Sequence, residues 1–99
     1  MVTYEVNLQV DAAIAGEYRA WLHAHVAELL ALPGFLDATV SDVREPVEPG
    51  RVGLCVHYRL RDEAALDAYL REHAPRMREA GVARFGGRFS ATRRVLVAG

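Results

Sequence analysis

The sequence predicts an α+β fold of the ferredoxin-like type, in which a four-stranded antiparallel sheet carries both helices on one face. Four segments alternate between apolar and polar residues, and two segments carry apolar residues at helical spacing. Along the chain these segments follow the order strand, helix, strand, strand, helix, strand. Because crossovers between strands are right-handed, both helices are expected on the same side of the sheet.

The composition of the chain is that of a globular protein, and its 99 residues predict a single domain over residues 1–99. Apolar residues make up 52% of the chain, charged residues make up 25%, and the formal net charge is −1. Basic and acidic residues are mixed, so the chain has no basic surface of the kind that binds nucleic acid. No apolar run approaches the roughly 20 residues of a membrane span. We therefore expect neither nucleic acid nor membrane as a partner.

Cys55 is the only cysteine, which excludes an internal disulfide and the metal motifs built from cysteine pairs. A single thiol suits a reducing cytoplasm. The N-terminus opens on a strand pattern and not on the charged and apolar regions of a signal peptide. These features predict a cytoplasmic protein.

The first strand is predicted over residues 3–10, where apolar and polar residues alternate. A long helix follows, with Asp11 as the expected N-cap, and it runs to about Leu32 before Pro33 and Gly34 end it. One broad face of this helix is apolar and is wide enough to pack on a sheet. That face contains Ile14, Ala15, Tyr18, Trp21, Leu22, His25, Val26, Leu29 and Leu30.

The second and third strands are predicted over residues 35–44 and 51–60, joined by an exposed loop at residues 45–50 that contains two prolines and a glycine. In the second strand, Leu36 is expected on the buried face with Ala38 and Val40. The third strand has the cleaner alternation of the two.

The second helix is predicted to begin after Asp62 as N-cap and to place His73 on its apolar face with Leu66, Tyr69, Leu70 and Met77. Pro75 either kinks this helix or begins a new short helix, and Gly81 is expected to end it. Residues 82–88 are predicted to form a link. Residues 89–97 then form the fourth strand, with Arg93 on the same side as Phe89 and Ala91.

The face of the sheet away from the helices is predicted to be polar. It is either solvated, as is common in antiparallel sheets, or packed against a second copy of the chain, which would also protect the strand edges. The residues on this face are Glu5, Asn7, Gln9, Thr39, Ser41, Cys55, His57, Arg59, Ser90, Thr92 and Arg94.

The chain resembles a family of short, uncharacterised bacterial proteins over nearly its whole length. The resemblance rests on Tyr4, the Trp21-Leu22 and His25 spacing, Pro33-Gly34-Phe35, Tyr58, Tyr69, His73-Ala74-Pro75, Arg78, and Phe85 through Arg93-Arg94. It implies a homodimeric α+β barrel, a fold shared by cofactor-free monooxygenases and several haem- or small-molecule-handling proteins. It implies no activity, because the family has none to transfer and no motif matches the catalytic residues of the monooxygenases.

The layer between helices and sheet is expected to be unusually polar, and this predicts a cleft that binds a small, anionic or aromatic molecule. Arg93 would bind a carboxylate or phosphate, and one histidine would act as acid or base. The alternative is that each histidine and tyrosine finds a partner within an ordinary core. The candidate site residues are His25, His73, Arg93, Tyr18, Tyr58, Tyr69 and Trp21.

No cofactor or metal is predicted. His25 and His73 could supply two zinc ligands, but no inward carboxylate accompanies them. Cys55 and His57 lie on the opposite face, where an inert thiol is the commoner case. Two function classes stay open, namely a small-molecule binder or cofactor-free enzyme, and a non-catalytic module for self-association or protein interaction.

Overall fold

The computed structural model describes all 99 residues and has the predicted ferredoxin-like α+β architecture. Four antiparallel strands lie in the spatial order β2-β3-β1-β4: β1 (Val2–Asp11), β2 (Phe35–Val43), β3 (Arg51–Leu60) and β4 (Phe89–Val97). Three helices accompany them: α1 (Ala15–Leu30), α2 (Glu63–Glu72) and α3 (Ala74–Phe85). Short 3₁₀ turns precede α1 at Ala12–Ile14 and precede β4 at Gly86–Arg88. No helix is both long and apolar enough to cross a membrane.

The hydrophobic core lies between the helices and the two central strands, β1 and β3. The residues of these strands that face the helices pair directly across the sheet, as in Val6 with Val56 and Leu8 with Leu54. Val10, Val56 and Leu60 are fully buried, because they are covered by helices above and by neighbouring strands on both sides. The alternation predicted for β1, β3 and β4 is confirmed by this register.

The predicted face of β2 is wrong at Leu36. The pairing register between β2 and β3 shifts between Phe35 and Asp37, so Leu36 is an extra residue at a bulge, and it is 53% exposed. Phe35 takes the inward position and packs edge-on against Tyr58 and Tyr69, at centroid distances of 5.8 and 5.1 Å.

The two predicted N-caps have different outcomes. The Asp62 carboxylate accepts a hydrogen bond from the Ala65 N–H at 2.8 Å, as expected for an N-cap. Asp11 caps nothing, because the pairing of β1 with β3 extends to Asp11 and Arg51 and keeps the chain extended there. The Asp11 carboxylate forms an ion pair with Arg51 at 3.2 Å.

Pro75 lies in the first turn of a new helix, α3, which confirms one of the two alternatives for this segment. Gly81 does not end that helix: it is buried inside α3, which continues to Phe85. A Cβ atom at Gly81 would lie 3.2 Å from Trp21 Cη2 and 3.3 Å from Phe89 Cζ. Glycine is therefore used here for the close approach of α3 to Trp21, and the expected link at residues 82–88 is mostly helix.

Candidate functional site

A cavity of about 290 Å³ lies between the helices and the sheet. Every helix and three of the four strands contribute to its wall, and most of the lining residues are apolar or aromatic. Six of the seven candidate residues from the sequence line it, namely His25, Arg93, Tyr18, Tyr58, Tyr69 and Trp21. The rest of the wall is formed by Tyr4, Val6, Leu8, Leu22, Leu29, Val56, Met77, Arg78, Gly81, Val82, Gly86, Phe89, Ser90 and Ala91.

His73 is the candidate that does not line this cavity, so the expectation that it shares the site with His25 is wrong. It lies at the junction of α2 and α3, where its Nδ1 is 2.9 Å from Arg76 Nη2. The apolar face of α2 does not continue through His73, because α2 ends at Glu72 and the His73 backbone, with a φ of −125°, is not helical.

Three tyrosines present free hydroxyl groups to the cavity. Tyr18, Tyr58 and Tyr69 are at least 96% buried, and none of their hydroxyls makes a hydrogen bond within the chain. Every fully buried side-chain polar atom in the chain has a hydrogen-bond partner. These three hydroxyl oxygens have none, so they must keep some accessible surface, and they keep it where they line the cavity. They can therefore bond to a molecule that enters.

Burial also keeps these phenols protonated. It raises the pKa of Tyr18 and of Tyr69 to about 12. The pKa of Tyr58 is raised further, by burial first and then by the neighbouring Tyr69 and Tyr4. At neutral pH all three are hydrogen-bond donors with no negative charge.

Arg78 is a cavity residue that the sequence did not predict. Its Nη2 donates to the Tyr4 hydroxyl at 3.0 Å, across the space between α3 and β1. Continuing the phase of α2 through Pro75 places this arginine away from the apolar face of the helix. Restarting the helical count at Ala74 places Arg78 in line with Gly81 and Phe85, at i+4, i+7 and i+11, and that spacing could have identified it.

The charged residues that line the cavity are all positive. Arg78 and Arg93 line it, and no aspartate or glutamate does. Neither arginine forms an ion pair, whereas the neighbouring Arg94 on the opposite face pairs with Glu5. Two guanidinium groups without a negative partner, beside an otherwise apolar cavity, favour the binding of an anion there.

His25 is the titratable group at the helix side of the cavity. Its imidazole stacks on the Trp21 indole, with ring centroids 4.5 Å apart and an interplanar angle of 18°. Burial lowers its pKa below the ordinary value, and Glu28 only partly opposes this. Neither ring nitrogen makes a hydrogen bond, so at neutral pH the ring has a free lone pair and can accept a proton.

A second polar cluster lies on the face of the sheet that the helices leave uncovered. Glu5 accepts hydrogen bonds from Arg94 Nε at 2.5 Å and from Asn7 Nδ2 at 2.8 Å, and its other oxygen is 2.8 Å from His57 Nε2. These contacts, led by the one to Arg94, lower the pKa of Glu5 to about 2. The cluster is separated from the cavity by the thickness of the sheet.

The fold matches solved structures along its whole length. A Deinococcus radiodurans protein described as a candidate antibiotic biosynthesis monooxygenase is 18% identical, with a TM-score of 0.74 over 100% of this chain and 93% of that one. SnoaB, a cofactor-independent oxygenase from Streptomyces nogalater, is 15% identical, with a TM-score of 0.69 over 98% and 92% of the two chains. An antibiotic biosynthesis monooxygenase is 17% identical, with a TM-score of 0.70 over 99% and 98%.

At these identities the likeness establishes the ferredoxin-like fold and not the chemistry. No curated protein matches the sequence. A family model described as a domain of unknown function, DUF4286, matches residues 1–98. The chain therefore belongs to the DUF4286 family, in agreement with the predicted resemblance to uncharacterised proteins of this fold.

Proposed function

We propose that the cavity between helices and sheet binds a small aromatic molecule that carries one anionic group. The observation that supports this most directly is the composition of the wall: aromatic rings, free phenol hydroxyls and two arginines, with no carboxylate. An ordinary core would contain neither the space nor the unpaired polar groups, because buried polar groups are normally satisfied within the protein.

The size of the cavity limits the ligand to one or two rings. Its volume of about 290 Å³ is at the lower end of the range for small-molecule sites, which begins near roughly 300 Å³. Trp21 and Phe89 supply flat apolar surface on opposite elements, α1 and β4. A planar ring system can pack between such groups in offset or edge-on contact.

The anionic group belongs near Arg93 and Arg78. A guanidinium group binds a carboxylate through two parallel hydrogen bonds, and this geometry is stronger than a single neutral one. The hydroxyls of Tyr18, Tyr58 and Tyr69 are donors, so they favour ring substituents that accept hydrogen bonds, such as carbonyl or ether oxygens.

His25 leaves room for a reaction as well as for binding. A neutral imidazole with a free lone pair can remove a proton from a bound phenol or enol, and the resulting anion would be stabilised by the arginines. Among proteins of similar fold, SnoaB is a cofactor-independent oxygenase. We propose proton abstraction from the bound molecule as the step that His25 can support, with the identity of any later step left to the ligand.

We further propose that the protein is a homodimer in a reducing cytoplasm, with the uncovered face of the sheet packed against a second copy. That face carries the Glu5, His57 and Arg94 cluster, and a face with both signs of charge suits pairing with a copy of itself. The single cysteine is consistent with the compartment. Sedimentation equilibrium tests the dimer, and a monomer at micromolar concentration would contradict it.

Binding is tested with a matched pair of probes, 2-naphthoate and the neutral 2-naphthamide, by isothermal titration calorimetry. Wild type should bind the naphthoate more tightly. Arg93→Gln should weaken naphthoate binding about tenfold or more, equivalent to about 1.4 kcal/mol, and leave naphthamide binding unchanged.

The control variant is Arg44→Gln, because Arg44 is exposed and lies outside the cavity wall. It should bind both probes like wild type. If wild type binds neither probe, or if Arg93→Gln and Arg44→Gln behave alike, the proposed anion site is wrong.

The alternative function, a non-catalytic interaction module, is favoured by one feature. The end of the edge strand β4 exposes three apolar residues in a row: Val95 at 46%, Leu96 at 37% and Val97 at 55%. A partner strand could add to this edge. Replacing Leu96 with Glu would abolish such an association and leave naphthoate binding in the cavity unchanged.

A further inference from the structure

Glu5 is the only charged residue that the fold buries, with 5% of its surface exposed, and it does not face the core. It lies on the uncovered side of the sheet, paired across the strands with His57 on β3 and with Arg94 on β4. The packing of the core does not require a carboxylate in this position, because the side chain is on the other face of the sheet. Its burial therefore calls for a separate explanation.

We propose that Glu5, Cys55 and His57 form a zinc-binding site. One carboxylate oxygen of Glu5, the Cys55 sulfur and one ring nitrogen of His57 all lie within 4.8 Å of one another. The three donors are an oxygen, a sulfur and a nitrogen, which is a set that Zn²⁺ binds in proteins.

The strand register brings these donors together. Cys55 and His57 are two residues apart on β3, so their side chains point to the same face. Glu5 on β1 pairs directly with His57 on β3, and the next pair on the same face of the sheet is Asn7 with Cys55. The site therefore lies at the centre of the sheet, on the two strands that the core fixes most firmly.

A tetrahedral zinc site sets the spacing that the three donor atoms must reach. With zinc–ligand distances of about 2.0 to 2.3 Å, the donor atoms of such a site are separated by roughly 3.3 to 3.6 Å. Glu5 Oε1 and His57 Nε2 are now 2.8 Å apart. Side-chain rotations would have to widen this gap and set the Cys55 sulfur, which now lies within 4.8 Å of both atoms, at the same spacing. The fourth position would remain for water or another ligand.

Arg94 is the competing cation for Glu5. Its guanidinium bonds to both carboxylate oxygens, but its side chain is 67% exposed in the single chain, which leaves it room to turn away from Glu5 when a metal binds. Releasing Arg94 takes one partner away from a buried carboxylate, and a zinc ion bound in its place keeps the charge of Glu5 compensated. On binding, the Cys55 thiol gives its proton to solvent, and no oxidant or reductant is required.

The zinc site is independent of the ligand cavity, because its donors point to the opposite face of the sheet. It also needs only one chain, because all three ligands come from neighbouring strands. A second copy packed on this face would enclose the site but would not have to complete it.

The test uses the full chain, stripped of metal with a chelator and then dialysed free of the chelator. Zn²⁺ binding is measured by isothermal titration calorimetry, and Co²⁺ is used as a spectroscopic probe because a thiolate ligand gives an intense charge-transfer absorption. Wild type should bind one Zn²⁺ per chain and show this absorption. Cys55→Ser should lose the absorption and bind Zn²⁺ at least about tenfold more weakly.

Arg94→Gln distinguishes a metal site from a simple ion pair. Removing the competing cation should leave Zn²⁺ binding equal or tighter. His57→Gln should weaken it, and His23→Gln, at an exposed position on α1, is the matched control and should not change it. Circular dichroism confirms that each variant is folded.

The proposal is wrong if folded wild type does not bind Zn²⁺ at micromolar concentration, or if Cys55→Ser binds it as tightly as wild type. Loss of binding in Arg94→Gln would also contradict it, because Arg94 competes with the metal for Glu5.

Discussion

The Trp21 indole and the His25 imidazole stack on each other one helical turn apart, and this pair forms the helix side of the cavity. The contact joins a large apolar surface to a group that can carry a proton. Because the indole covers one face of the imidazole, protonating His25 places a charge where water has restricted access, which is why the pKa of His25 is lowered.

The stability of the fold should depend on the protonation of His25. Its pKa is lower in the folded chain than in the unfolded chain, where it has the ordinary value of 6.5. Between these two values the unfolded chain binds more protons, so stability is present above about pH 6.5 and is lost as the pH falls through the folded pKa.

Urea unfolding at about pH 7.5 and about pH 5.5 measures this loss, and it should be smaller in His25→Gln than in wild type. The exposed His23→Gln serves as the control and should retain the wild-type loss. An equal loss in His25→Gln and wild type would contradict the assignment.

Gly34 and Gly50 form a matched pair for testing close packing. Both have positive φ angles, 86° and 75°, but a Cβ at Gly34 would lie 2.5 Å from Ala65 Cβ, whereas a Cβ at Gly50 would meet nothing. Gly50→Ala should cost about 1–2 kcal/mol for the left-handed backbone alone. Gly34→Ala should cost a further 1–3 kcal/mol or so, because the clash displaces α2.

Urea denaturation measures both variants, with Gly87→Ala as the control at a position with open space and an ordinary φ. Equal costs at Gly34 and Gly50 would show that the contact with Ala65 relaxes freely.

The two expected helix caps should differ in their effect on stability. Asp62→Ala removes the acceptor for the Ala65 N–H and should lower the melting temperature, while Asp62→Asn should retain most of the stability because asparagine also caps well. Asp11→Ala loses two partly exposed ion pairs, with Arg51 and Arg88, and should have the smaller effect. A larger drop for Asp11→Ala than for Asp62→Ala would be inconsistent with the cap assignment.

The tyrosine hydroxyls should differ in how much they contribute to stability. Tyr58→Phe and Tyr18→Phe remove hydroxyls with no partner in the chain, so stability should change by less than about 0.5 kcal/mol. Tyr4→Phe removes the acceptor for Arg78 and should cost about 0.5–1.5 kcal/mol. Urea unfolding of the three variants checks this, and a cost above about 1 kcal/mol at Tyr58 would mean that its hydroxyl is bonded inside the protein.

Much of the fold follows from periodicity. The alternation in residues 3–10 and 51–60 predicts the central strands, because one face of each is covered by helices and the other is not. The same reasoning places His25 and Arg93 in the layer between helices and sheet, and the cavity contains both.

The errors arise where one contact changes the phase of a pattern. The bulge at Leu36 adds one residue to β2, and no alternation rule reveals it in advance. Helix α2 ends before His73 and α3 begins after it, so continuing the phase of α2 along the chain wrongly includes His73 in the apolar face and leaves Arg78 out of it. The burial of Glu5 could not be found by pattern either, because it depends on side chains from three strands meeting on one face.

The absence of a side chain at Gly81 helps to set the size of the cavity. Trp21 and Phe89 come within 3.3 Å of the place where a methyl group would stand. A larger residue there would push the indole into the cavity or move α3 away from the sheet. A single substitution at this position would therefore change the volume of the cavity. Members of this family that differ at this one position should therefore prefer ligands of different bulk while keeping the same sheet beneath them.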